Sequence, residues 1–252
     1  VMVYLCESSL EGIFCGVYAV YADRQPLSDC RLSLREDYEP ELFCSYKEIP
    51  LDPSKAEKVA KKIRNHMSMD AYRALSRAAL HKSPERADQI LRFIALGLSA
   101  GRRIMQMLKE PAVYEIFRMD QYVKNEAHFL VEFSRFWKQP SGLYCGTIGP
   151  ENDVLELVAS HFADRFPDMD WALCDERRKK AALHTSSGAL AICTGITEEE
   201  SRLFDKNIAA DCYIKLWKTF FQTIAIEERK NPRCQRNMLP LRYRKYMTEF
   251  QP

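Results

Sequence analysis

Glycine is scarce in this chain, with nine in 252 residues. None falls into G-x-G-x-x-G or G-x-x-x-x-G-K-[ST], so the glycine-rich cradles for dinucleotides and nucleoside triphosphates are missing. The G-x-S-x-G elbow that presents a serine nucleophile in α/β hydrolases is missing too. Nine cysteines are present, no two closer than nine positions. That excludes C-x-x-C zinc-ribbon spacing and the clustered triplet of a radical S-adenosylmethionine enzyme. Cys15, Cys145, Cys174 and Cys193 lie in apolar runs, where a free thiol behaves as a small hydrophobe. Such usage fits a reducing compartment, and a cytoplasmic location is expected. Long apolar runs are also lacking. Ile13–Ala22 and Phe93–Gly101 are about half the ~18 residues of a membrane span. No basic segment leads into an apolar one at the start, so neither a signal peptide nor a membrane contact is expected.

Net charge is only +2, so no global field draws in a polyanion. The charges are unevenly placed, however. Residues 1–50 carry 4 basic and 9 acidic side chains, net −5, and residues 51–140 carry 17 and 10, net +7. Residues 141–226 carry 9 and 13, net −4, and residues 227–252 carry 7 and 3, net +4. Two basic blocks alternate with two acidic ones. Either they are solvated helix faces or folding gathers the basic blocks onto one surface.

Hydrophobic periodicity predicts an α+β fold: a mainly helical first half, then an antiparallel sheet of about five strands with packed helices. A strand at Val1–Cys6 precedes a helix opened by the capping box Ser8-x-x-Glu11, in which Gly12 and Gly16 allow close backbone approach. Residues 26–50 read as loop with one strand at Leu42–Ile49. Ser54-x-x-Glu57 opens a second helix, Asp70–Leu80 is a third, and Ser83-Pro84 starts a fourth with Gly97 and Gly101 on its buried stripe. Pro111 begins another, to about Glu126. Phe129–Trp137 and Leu143–Ile148 read as a hairpin, followed by a helix at Glu151–Phe162 and strands at Trp171–Cys174, Ala181–His184 and Ala189–Cys193. Thr197-x-x-Glu200 caps a long helix that turns Leu203, Phe204, Ile208, Leu216, Phe220 and Ile224 inward. The tail from Arg229 is expected to be irregular but partly docked. Residues 1–252 are read as one compact domain with a seam near 128.

Four groups of residues could carry chemistry. Glu126 and His128 could form a general acid/base pair, and His161, Asp164 and Asp175 could gather around a metal; helix caps and surface ion pairs are the plainer explanation, and no metal or cofactor is expected. On an alternating strand, Arg135 shares a face with Phe133 and Trp137, where it could meet a phosphate or cover the core edge with its stem. In the tail, Arg229, Lys230, Arg233, Arg236, Arg242, Arg244 and Lys245 interleave with Tyr243 and Tyr246. Cations track a phosphate backbone and aromatic rings stack on bases; a handle for an acidic protein is the rival reading.

Several segments occur in a telling order: Ser9-Leu10-Glu11-Gly12-Ile13-Phe14, Glu126-Ala127-His128 with Phe133-Ser134-Arg135-Phe136, Pro150-Glu151-Asn152-Asp153-Val154-Leu155, His161-Phe162-Ala163-Asp164-Arg165-Phe166-Pro167, and Leu239-Pro240-Leu241-Arg242-Tyr243. Together they resemble a bacterial family of unknown function described as probable DNA metabolism proteins. Some members are fused to a uracil-DNA glycosylase-like domain; others are encoded beside a DNA-modification or repair radical S-adenosylmethionine protein. The resemblance implies a stand-alone accessory protein with DNA or that radical enzyme as partner. It supplies no catalytic residue, so whether the chain is an enzyme stays open. Arg244 stands where the fused members are expected to carry an aromatic residue.

Overall fold

The computed structural model describes residues 1–201, 204 and 212–250. The chain divides into two compact units, Val1–Asn125 and Glu126–Pro252. The architecture is α+β.

The first unit is built on a small parallel sheet. Strand β1 (Met2–Cys6) lies between β2 (Cys30–Leu34) and β3 (Ser45–Glu48), parallel to both. Parallel neighbours need a crossover, which helix α1 (Leu10–Ala22) supplies between β1 and β2. Its cap is Ser9, whose hydroxyl accepts from the Gly12 N–H, one residue beyond the expected capping box. A Cβ on Gly16 would stand 2.8 Å from a Leu32 methyl, so the small residue is what lets α1 seat on the sheet. Strand β2 falls within the segment read as loop; its alternating burial is legible only once β1 stands beside it.

Helix α2 (Pro53–His66) is capped by Asp52 rather than Ser54, with Pro53 in the first turn. Helix α3 (Met69–Ala79) is capped by Ser68. Helix α4 (Arg86–Ala100) turns Ile90, Leu91, Phe93 and Ile94 into the core. Gly97 admits the Met67 side chain, whereas Gly101 ends the helix at φ +58° and is a terminator rather than part of the packing stripe. A 3₁₀ turn (Gly101–Gln106) leads to α5 (Pro111–Phe133), which continues past Asn125 into the second unit. Asp120 of α5, 5% exposed, pairs with Arg77 and Lys124.

The second unit carries a five-stranded sheet in sequential order: β4 (Phe136–Lys138), β5 (Tyr144–Ile148), β6 (Trp171–Asp175), β7 (Lys180–His184) and β8 (Leu190–Thr194). It is mixed rather than antiparallel. Helix α6 (Leu155–Arg165) crosses between β5 and β6 and makes that pair parallel; the other pairs are antiparallel. The stretch expected as a strand at Phe129–Trp137 is helix to Phe133 and strand only from Phe136. The strand parity assigned to Phe133, Arg135 and Trp137 is thereby overturned. Phe136 meets Phe162, Phe166 and Trp171 edge-on, Phe162 stacks on Phe166 at 6.0 Å, and buried His184 stacks on Trp171 at 5.1 Å, with Nδ1 at 2.9 Å from the Met169 carbonyl.

Where one long helix from Thr197 is expected, α7 (Glu198–Ser201) and α8 (Cys212–Thr223) are described; Leu216, Phe220 and Ile224, expected inward, are exposed, and Leu203 and Ile208 lie outside the described residues. Instead of an irregular tail, a 3₁₀ turn (Glu227–Arg229), α9 (Pro232–Met238, capped by Asn231), α10 (Leu241–Arg244) and a last 3₁₀ turn (Thr248–Phe250) follow. Cys6, Cys15, Cys30, Cys44, Cys145, Cys174, Cys193 and Cys234 are free thiols; burial pushes the Cys6 thiol up to about 12 and Cys174 to about 11.

Candidate nucleic-acid interface

The last turns of α5 present Phe129 and Phe133, four residues apart and therefore on one face. Tyr243 packs on both at 5.8 Å and is 2% exposed. Tyr246 is 5% exposed, and its hydroxyl donates to Glu176 at 2.6 Å. Burial and that carboxylate together raise the phenol well above its ordinary pKa. Tyr243 and Tyr246 were expected as stacking platforms. They are core rings, because short helices fold the tail back onto α5 and the β6–β7 end of the sheet.

Three of the tail-associated cations are engaged in the same docking. Arg135 donates to Glu249 at 2.7 Å and to the Glu132 and Ser134 carbonyls. Arg242 pairs with Glu151 at 2.7 Å and stands 3.7 Å from Glu126. Lys245 pairs with Glu176. Burial alone would raise the Glu249 carboxyl, but Arg135 and a backbone N–H outweigh it and hold it below the usual range. Glu176 is likewise lowered against burial by Lys245 and Tyr246.

The carboxylates expected to act as acids or bases are structural acceptors. Glu126, 2% exposed, accepts from the Glu151 N–H at 2.9 Å, the Asn152 N–H at 2.8 Å and the Asn152 side-chain amide at 2.6 Å. His128 does not join it; it faces Glu132 at 3.2 Å on the exposed side of α5. Asp175, fully buried, accepts from the Arg177 and Arg178 N–H groups and pairs with the Arg178 guanidinium at 3.1 Å. Burial raises its carboxyl despite Arg178. Arg178 also holds the Pro150 carbonyl at 3.1 Å. His161 and Asp164 are exposed on α6, and Asp175 turns instead to its own strand end. Among the described residues no group of three His, Cys, Asp or Glu side chains could hold a metal ion.

A cleft of about 760 Å³ opens to solvent between the end of α8 and α9. Phe221, Ile224, Ile226 and Phe250 form apolar walls, and Arg229, Lys230 and Asn231 supply polar groups. Arg233 and Arg236, three residues apart, share the α9 face opposite Cys234 and Gln235, which line the cleft. Arg229, Lys230, Arg233 and Arg236 are all exposed. Arg244 is half-buried, lying 4.8 Å over the Phe250 ring and donating to Gln235 at 3.3 Å; there the guanidinium, rather than a residue-244 ring, covers the aromatic floor. Phe221 and Phe250 were given no role from the sequence, because only folding brings these two helix ends together. Asn152 and Arg178 were also missed, although Pro150-Glu151-Asn152-Asp153 stood out as a motif.

Among the described residues no helix is long and apolar enough to cross a membrane. No curated protein matches the chain. Residues 84–249, more than half of the sequence, match a family model described as a domain of unknown function, and the chain belongs to that family, DUF4130.

Proposed function

We propose that this chain is a DNA-associated accessory protein in DNA repair or modification, and that it holds nucleic acid at the α8–α9 cleft. The observation that carries the reading is the pairing of exposed Arg229 and Lys230 with the apolar, aromatic walls of that cleft, with exposed Arg233 and Arg236 beside it on the outer face of α9. Cations of this kind meet phosphates, and Phe221 offers a surface for an unstacked base beside the Arg244-covered Phe250 ring. The ordered motifs resembling DNA metabolism proteins support the setting. An enzyme using Glu126, His128, His161, Asp164 or Asp175 is the weaker reading, since both buried carboxylates are filled by backbone donors.

The test is binding of labelled single- and double-stranded DNA at several salt concentrations. Affinity that falls linearly with log salt is expected, with a shallower slope in Arg229→Ala/Arg233→Ala. No binding at low salt, or binding indifferent to salt, would remove the reading. A second reading is a protein partner, the class being a radical S-adenosylmethionine repair or modification enzyme. It is favoured by the solvent-facing stripe Leu216, Trp217, Phe220 and Ile224 on and just beyond α8, a larger apolar patch than single exposed residues make. Co-purification of the two proteins without DNA would favour it.

A further inference from the structure

The first unit holds a second surface with the same chemistry and none of the same residues. Helices α1, α2 and α4 enclose a groove of about 250 Å³. Its floor is apolar, from Val17, Ile63, Ile94 and Leu98, and Tyr18 and Tyr21 stand along one side. Lys58 and Lys62 rim it, and they are shared with an open hollow that also includes Lys61, Asn65 and His66. Lys58, Lys61 and Lys62 are exposed and form no ion pair among the described residues, whereas Lys55 and Arg64 on the same helix pair with Asp52 and Glu57. Lys58 Nζ lies 5.8 Å from the Tyr18 ring centroid. Three cations without carboxylate partners are more than a single carboxylate ligand requires. Beside an aromatic, carbon-lined groove they match a chain of phosphates bearing flat rings. No side-chain amide or acid borders the apolar groove to read a base edge.

We propose that this groove seats an unpaired base of single-stranded nucleic acid, without sequence preference, while Lys58, Lys61 and Lys62 hold the flanking phosphates. The proposal rests on the nucleic-acid reading above but places the contact in the other unit. Stacking makes it tolerant of sequence, since every base has a π-face. The apolar floor makes it prefer strands over duplexes, whose bases are already stacked.

The experiment uses the full chain and fluorescence anisotropy with labelled oligothymidylate, an abasic strand of equal phosphate count, and a duplex. Wild type is expected to bind oligothymidylate at least about fivefold tighter than the abasic strand. Lys58→Ala/Lys62→Ala should weaken both single strands and lower the salt slope by about 1.4, two contacts at ~0.7 each. Tyr21→Ala should lose the preference for bases and keep the slope. Both substitutions alter exposed side chains, and a circular dichroism melt confirms folding. If these variants bind like wild type while Arg229→Ala/Arg233→Ala does not, the groove is overturned and the α8–α9 cleft stands. If no variant or wild-type protein binds any strand, both are overturned. If wild type ignores the strands but binds phosphatidylserine vesicles through Lys58 and Lys62, the surface belongs to a membrane and the proposal is overturned.

Discussion

Glu126 is a carboxylate with three donors and almost no water. Its lone pairs are spent on the 151–152 loop, so it orders that loop instead of moving a proton. Glu126→Gln turns an amide NH₂ toward at least one N–H that needs an acceptor, and an unsatisfied buried donor costs about 1–3 kcal/mol. A urea unfolding midpoint lowered to match is expected, and an unchanged midpoint would refute the structural role. His128→Ala, on the exposed face, should stay within about 0.5 kcal/mol. Acid acts on the tail through groups of opposite sign. Glu249 and Glu176 are depressed in the fold, so their stabilisation is present above the unfolded carboxylate pKa and is lost as pH falls through their lower folded values. Asp175 is raised, so it opposes stability at neutral pH and that penalty fades as pH falls through its folded value. Two docking contacts are lost and one buried charge is relieved. The tail is therefore expected to release as pH falls below the ordinary glutamate range while the β6–β7 turn holds. Hydrogen exchange of residues 241–250 against 175–184 reads the difference; simultaneous loss of both would contradict it.

At the scale of elements, the docking of the C-terminal segment depends on a missing side chain. A Cβ on Gly149 would overlap the Tyr246 hydroxyl oxygen and come within 3.0 Å of Glu176. The ring is buried and hydrogen-bonded, so it cannot simply swing aside. Gly149→Ala should cost about 1–3 kcal/mol as overpacking and make the peptide bonds after Arg242 sensitive to trypsin; unaltered protection would show the tail held elsewhere. That contact also marks what the sequence could not disclose. Gly12 and Gly16 were readable as a close approach because they lie one turn apart, whereas Gly149 and Tyr246 are joined only by the fold. Phe129–Phe133 was misread because a short apolar run fits helix and strand alike, and the ring that decides it, Tyr243, comes more than a hundred residues later. The parallel β5–β6 pair was within reach: a helix between neighbouring strands implies a crossover, and a helix had been placed there.

For the whole chain, net charge says little and its distribution says more. The +7 block extends from α2 across the first unit into β4, and the +4 block closes the second unit. Part of each is consumed internally: Arg77, Arg92 and Arg135 meet carboxylates, as do Arg242 and Lys245. Sequence counting could not separate these from Lys58, Lys61, Lys62, Arg229 and Arg233, because pairing is a property of the folded neighbours. The exposed remainder should set the salt dependence of DNA binding. Each lost contact to a single strand lowers the slope of log K against log salt by about 0.7, so Arg229→Ala/Arg233→Ala should reduce it by about 1.4. Since phosphate contacts carry no sequence information, the loss of affinity should be uniform across oligonucleotides of different composition. Arg242→Ala and Lys245→Ala, which remove docking cations, should instead lower the unfolding midpoint and leave the slope nearly unchanged in whatever fraction stays folded. A slope that tracks Arg242 and Lys245 but ignores Arg229 and Arg233 would mean that the docking pairs open on binding and that Arg229 and Arg233 are solvated ornament.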